Sequence, residues 1–236
     1  MSVPTRARSV PRRAFTPALL TSLHQLSNRL LAEDAGHFRV HAETNDVVHV
    51  YERADTGEPV GFQFWRTRPL DLPGCRAVFG GKLRVDPAFR RRALHLRSGL
   101  RFYLECQLRH PRTRFYRLSL ASMFGFVSIT SALANYQLFD ATASDPEGRA
   151  IRNAFEQMAA DSHYRLDETT SRVFVGIQPT EQTLAQYGAS YYARPEAQIY
   201  ARANPSWRDN GENVAFWFRF TPANLWTLTR TILRKR

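Results

Sequence analysis

The run VDPAFRRRALHL, from Val85 to Leu96, holds the densest chemistry in the chain. A strand-like stretch, Lys82 to Val85, leads into Asp86-Pro87. Arg90, Arg91 and Arg92 follow, just before a helix-forming sequence. The first N–H groups of a helix lack intrahelical partners, and the helix dipole is positive there. Arginines add charge-assisted, often bidentate contacts to phosphates and carboxylates. Together these residues suit an anionic ligand of the phosphate class. Without an anion, each cation at a helix start opposes the dipole by about 0.3–1 kcal/mol. The plainer alternative is a solvated basic turn.

Other candidate groups are scattered. Glu105 reads as the solvated i,i+4 partner of Arg101. His49 and Glu52 fall on an alternating strand, where they read as surface residues or as one group facing a cleft. No general base is assigned. A Gly-x-Ser-x-Gly elbow, a P-loop, a Rossmann fingerprint and HExxH are all missing from the sequence. Two cysteines, Cys75 and Cys106, support neither a disulfide framework nor a four-ligand zinc site. The seven histidines are dispersed, so no metal site is expected. The setting reads as reducing and cytoplasmic.

The elements that must position this chemistry follow from pattern and punctuation. The chain's 236 residues, 43% apolar, suffice for one large domain with its own core. Net charge of +12 invites a polyanion, but only Lys82 and Lys235 are lysines and the arginines are spread out. A dedicated nucleic-acid role is therefore not expected. No apolar run approaches the roughly 20 residues that span a bilayer. Residues 1–16 read as a flexible basic tail and 17–236 as a single domain. Thr16-Pro17 opens a helix carried by Leu19, Leu20, Leu23, Leu26, Leu30 and Leu31, ending near Gly36. Val47–Glu52 and Val60–Arg66 form a hairpin around the turn residues Asp55 to Pro59. A third strand, Arg76–Phe79, continues through Gly80-Gly81 into Lys82–Val85.

The helix after Ala93 places Leu96, Leu100, Leu104 and Leu108 on one face, opposite Arg97, Arg101 and Glu105, and stops at Pro111. Arg114–Ser122 reads as a strand and Val127–Leu138 as a helix. Asp145-Pro146 caps a further helix with Ile151, Phe155 and Met158 inward. A short strand follows from Arg172, then helix fragments and loops over 179–212. Asn213–Phe220 is the strongest strand, with Val214, Phe216, Phe218 and Phe220 on one face. Thr221-Pro222 caps the last helix, Ala223–Arg234. Its Leu225, Leu228 and Ile232, with Trp226 and the cations Arg230, Arg234, Lys235 and Arg236, fit a packed terminal helix. A helix lying on a membrane surface is the alternative.

This order implies a mixed α/β fold on one central sheet. With the run quoted above, it resembles the Gcn5-related N-acyltransferase (GNAT) family. Val85, Pro87, Phe89 and Arg90 match a strand ending in Val-x-Pro, an aromatic, then Arg/Gln-x-x-Gly-x-Gly/Ala. Counted from Arg90, Arg91 and Arg92 fill the two open positions and the glycine positions carry Ala93 and His95 here. EPVGF, Glu58 to Phe62, is similar to the family's preceding strand. The resemblance covers residues 17–140, implying a cofactor-binding core there and an atypical C-terminal part over 141–236. It implies a mostly antiparallel sheet flanked by helices. The implied activity is transfer of an acyl group from acetyl-CoA or another acyl-CoA to the amine of an unidentified acceptor. Leu83, Arg84 and Val85 would supply a backbone donor to the thioester carbonyl. Arg90, Arg91, Arg92, Ala93, Leu94 and His95 would cradle the diphosphate. Ser131 would lie near the cofactor, or simply cap a helix. Tyr136 would protonate the leaving thiolate, or simply fill the core. The alternative function is a non-catalytic GNAT-like module that engages a partner protein or an acidic surface.

Overall fold

The computed structural model describes residues 4–30, 34–90 and 92–235. Its contacts divide the chain into two compact units. One comprises Met1–Arg68, Val78–Arg112 and Arg230–Arg236; the other comprises Pro69–Ala77 and Thr113–Thr229.

The first unit runs through β1 (Thr5–Pro11), α1 (Pro17–Leu30), α2 (Ala35–Glu43), β2 (Val47–Arg53), β3 (Pro59–Pro69), β4 (Cys75–Val85) and α3 (Leu94–Arg109). The strands stand in the order β1-β2-β3-β4, and β2 is antiparallel to both β1 and β3. Alternation sorts the strand residues. Val48, Val50, Phe62 and Phe64 join Leu23, Leu26 and Phe38 in one buried cluster. Burying each such side chain contributes about 1.5–3 kcal/mol. His49 of β2 faces the other way, onto Ser98 of α3.

Three expectations are corrected in this unit. Residues 5–11 form an edge strand where the sequence reads as a tail. The cause is distant in sequence: Arg6 and Arg8 reach Glu52 on β2 at 3.0 and 2.8 Å, and Val10 enters the core. The single leucine-rich helix is two. α1 is described as far as Leu30, and Asp34, in extended conformation, opens α2 by accepting from the His37 N–H at 2.9 Å, which seats Phe38 in the core. Leu31 of the expected leucine row lies outside the described residues. Finally, α3 is rotated from its expected setting. It buries Leu94, Ser98, Phe102 and Cys106, while Leu104 and Leu108 are 48% and 83% exposed. A Cβ at Gly99 would stand 3.0 Å from the Trp65 ring, so the glycine admits that indole to the helix surface. Trp65 then stacks on Phe102 at 5.4 Å.

The second unit contains β5 (Arg114–Ala121), α4 (Met123–Thr130), β6 (Gln137–Leu138), α5 (Pro146–Asp161), β7 (Arg165–Leu166), β8 (Arg172–Phe174), α6 (Glu181–Leu184), α7 (Ala189–Tyr192), α8 (Pro195–Ala203), β9 (Glu212–Arg219) and α9 (Pro222–Arg234) as far as Thr229, the residues from Arg230 belonging to the first. The strands run β5-β9-β8-β7, with β6 also on β9, and the recorded pairs are antiparallel. β9 is interior, so both its faces are buried, with Ala215 and Trp217 covered as well as Val214, Phe216 and Phe218. The fold class is therefore mixed α/β, with mostly antiparallel strands flanked by helices. Leu228 and Ile232 of α9 are buried, while Trp226 is 69% exposed.

The helix expected over Val127–Leu138 ends at Thr130. Asn224, at the start of α9 and buried, accepts from the Ala134 and Asn135 N–H groups at 2.9 Å each and donates to the Asn135 carbonyl. Those bonds replace the intrahelical ones, and the segment runs extended into β6. One amide side chain overrides a local helical pattern.

Candidate functional site

The turn between β4 and α3 is built by its own residues. The Asp86 N–H donates to the Val60 carbonyl at 2.8 Å, and the Asp86 side chain accepts from the Ala88 N–H at 2.9 Å. Pro87–Phe89 then make one turn of 3-10 helix, and Phe89 packs with Tyr51, Val60 and Leu94. Arg90 runs extended, and its Nε donates to the Val85 carbonyl at 3.2 Å. Arg92 lies over the Phe89 ring at 4.7 Å. Arg91 lies outside the described residues.

Ala93 is the N-cap of α3. It holds the left-handed conformation, φ 53°, and offers no side-chain cap. That conformation costs a non-glycine residue about 1–2 kcal/mol. The Arg97 N–H makes the first helical bond, to the Ala93 carbonyl at 3.0 Å. The N–H groups of Leu94, His95 and Leu96 precede that bond, at the positive end of the dipole. Ala93 and Leu94 are buried, whereas Arg90, Arg92 and His95 are half-buried. The turn thus presents a helix start with cationic side chains at its rim, and a diphosphate fits that donor set.

Leu83, Arg84 and Val85 complete the strand entering the turn. Leu83 is exposed, and Arg84 donates from Nε to Ser27 Oγ at 3.1 Å. So Leu83, Arg84, Val85, Arg90, Arg92, Ala93, Leu94 and His95 are brought together in one strand–turn–helix. Tyr136 and Ser131 belong to the second unit. Tyr136 sits in the extended segment before β6, with its ring edge-on to Phe126 at 5.6 Å and Phe216 at 6.2 Å. Burial, and then Glu196, push its phenol up, so it is protonated at neutral pH. Ser131 is the exposed C-cap of α4.

Solved structures resembling this fold share little sequence identity with the chain. One is NAA60 of Arabidopsis thaliana in complex with a bisubstrate analogue: 14% identity, 57% of this chain and 88% of that chain, TM-score 0.39. Escherichia coli ElaA gives 15% identity over 60% and 93%, at 0.40. The NatC complex bound to Gag peptide and CoA gives 12% over 92% and 99%, at 0.41. No family model matches the chain, and no curated protein does.

The burial of three titratable groups in the first unit has no counterpart in the sequence pattern. His49, expected at a surface or in a cleft, is 0% exposed. Its Nδ1 lies 2.8 Å from Ser98 Oγ, which also accepts from Trp65 Nε1 at 2.8 Å. The serine oxygen has a second lone pair, so either Nδ1–H or the hydroxyl can be the donor of the His49–Ser98 bond, according to the tautomer. Burial is the main cause that brings the His49 pKa down to about 4; Glu105 opposes and Arg101 assists. Glu52 is also buried, at 5% exposed, between its two arginines. Lys82 holds φ 42° within β4, with Nζ 5.7 Å from the Phe38 ring centroid. Burial first, then Arg84, lower its pKa to about 7. The one legible signal was rarity, because Lys82 is one of two lysines among 33 cationic residues. Among the described residues no cluster of His, Cys, Asp and Glu could hold a metal ion, and no helix is long and apolar enough to cross a membrane.

Proposed function

We propose that this chain is an acyl-CoA-dependent N-acyltransferase of GNAT type, acting on the amine of an acceptor not yet identified. The observation that carries this reading is the β4–α3 turn. A helix start reached through a left-handed Ala93, whose own side chain makes no cap bond, stands beside Arg90, whose Nε is fixed to the strand it leaves. A diphosphate would take the first-turn N–H groups and the cations at the rim. Holding the co-substrate at its phosphates orients the thioester, and most of the rate gain in such a transfer comes from positioning. Tyr136, protonated at neutral pH, would return a proton to the leaving thiolate.

A thermal-shift series with acetyl-CoA and longer acyl-CoAs tests the reading. At about 100 times Kd, a ligand that binds only the folded state adds about 2.7 kcal/mol. For a chain of this length that is a rise of roughly 5–10 °C. No rise with any acyl-CoA would refute the enzyme reading. One observation favours the second reading, a non-catalytic binding module: the Tyr136 ring packs among core aromatics. A rise with acyl-CoA but no thiol release with any amine would select it.

A further inference from the structure

We infer that the outer face of α3 is a docking surface for an acidic, amphipathic helix of a partner protein. This surface is separate from the β4–α3 turn, and its use does not depend on acyl-CoA binding.

The leucines supply the shape. Leu100, Leu104 and Leu108 recur every four residues, the spacing of a ridge that packs into the groove of a second helix. Their pattern alone would send this ridge to the core. Instead α3 buries Leu94, Ser98, Phe102 and Cys106, and the leucine ridge turns outward. Leu100 is half-buried, Leu104 is exposed and Leu108 is 83% exposed. The ridge opens progressively to solvent over about 12 Å at the usual helical rise. Leucines exposed singly are ordinary on a surface, but a row at this spacing is a helix face left uncovered among the described residues.

Charge selects the occupant. Glu105 is the only acid in α3, and Arg101 pairs with it at 2.8 Å while also donating to the Ala7 carbonyl at 2.9 Å. That pair leaves the flank of the row neutral. Beyond Leu108 stand Arg109 and Arg112, both exposed. At the other end Arg97 donates from Nη2 to the Lys235 carbonyl at 3.5 Å. This bond sets the end of α9, with the exposed Arg234 and Lys235, beside the first turns of α3 within the same unit. The apolar ridge therefore lies between two cationic ends. A second copy crossing antiparallel would bring Arg109 and Arg112 onto Arg234 and Lys235, and a parallel copy would set each cation against itself; like charges oppose both. A helix lying on a membrane surface presents Trp or Phe beside its leucines, whereas Phe102 of α3 is buried. What complements the face is a helix with apolar anchors at i, i+3, i+4 and i+7, and Glu or Asp toward its ends.

Three labelled peptides of about 18 residues, long enough to form a helix, test the assignment by fluorescence anisotropy with the full chain. One carries leucine at i, i+3, i+4 and i+7 with glutamate elsewhere. The second has lysine in place of glutamate, and the third is a scramble of the first. The acidic helix should bind saturably, and roughly 10-fold or more tighter than the other two. Leu108→Ser, at a position already in solvent, should weaken it by roughly 10-fold with Tm unchanged, and Leu104→Ser gives the same readout should the first variant fail to fold. Arg109→Glu combined with Arg112→Glu should weaken the acidic helix and leave the scramble unaffected. No binding of the acidic helix, equal binding of its scramble, or an affinity untouched by both serine variants would overturn the assignment. So would vesicles of phosphatidylglycerol and phosphatidylcholine that hold the wild type but not Leu108→Ser while the acidic helix stays free. A dimer in sedimentation equilibrium that Leu108→Ser dissociates would overturn it in favour of a second copy.

Discussion

The buried His49 makes the stability of this protein sensitive to mild acid in a way that can be worked out beforehand. Its pKa falls from the ordinary 6.5 to about 4 on folding, a difference of about 2.5 pH units caused chiefly by burial. A histidine with a depressed folded pKa stays neutral in the fold, while the unfolded chain takes up a proton as pH falls below 6.5. Its full contribution is therefore present above pH 6.5 and is lost progressively down to about pH 4. At about 1.36 kcal/mol per unit, the whole window is worth roughly 3 kcal/mol, and about 1.3 kcal/mol of it is gone by pH 5.5. The variant His49→Asn keeps an amide that can accept from or donate to Ser98 Oγ but cannot titrate. It will be less stable than wild type at pH 7.5, because the ring it deletes fills space beside Trp65 and Phe102. The informative quantity is the pH slope. Urea unfolding at pH 7.5 and 5.5 should show the wild type losing about 1.3 kcal/mol more than the variant. Lys82 and His41 titrate in the same direction but are common to both proteins and cancel. Equal losses in the two proteins would refute a neutral, buried imidazole bonded to Ser98.

Other perturbations test neighbouring parts of the account. Gly61→Ala places a Cβ 2.6 Å from the Arg84 carbonyl, backbone that cannot swing aside, so it should cost about 1–3 kcal/mol in urea unfolding and loosen the strand entering the turn. Glu52→Gln removes the charge that holds Arg6 and Arg8, and since both arginines can return to solvent the cost should be about 1 kcal/mol. The same variant should speed proteolysis within residues 5–11; unchanged cleavage would count against the edge strand. Tyr136→Phe should lower kcat by 10-fold or more with little change in acyl-CoA affinity, whereas equal loss of both would assign the hydroxyl a structural role.

What the sequence made legible was local. Thr16, Asp145 and Thr221 each accept a backbone N–H at the start of a helix, and each stands beside a proline that marks the place. The hairpin of β2 and β3 follows from alternation around a glycine- and proline-bearing turn. The basic turn is contiguous, so its place between a strand and a helix could be read without coordinates. What escaped depends on partners far away in the chain. β1 needs Glu52, and α4 is cut short by Asn224, about 90 residues on. The leucine row of α3 misled because Leu104 and Leu108 face solvent, while Ser98 and Cys106 sit in the buried row. Lys82 and His49 carry no local mark of burial; packing of α2 and α3 on the strands creates their chemistry.

The central claim is that the β4–α3 turn binds the diphosphate of an acyl-CoA, and calorimetric titration with CoA tests it most directly. The account predicts saturable binding, displaced by inorganic pyrophosphate, weakened by salt, and reduced at least 10-fold by Arg90→Glu in a protein that still unfolds cooperatively. CoA affinity unchanged by Arg90→Glu, or no binding by the wild type at millimolar CoA, would contradict it.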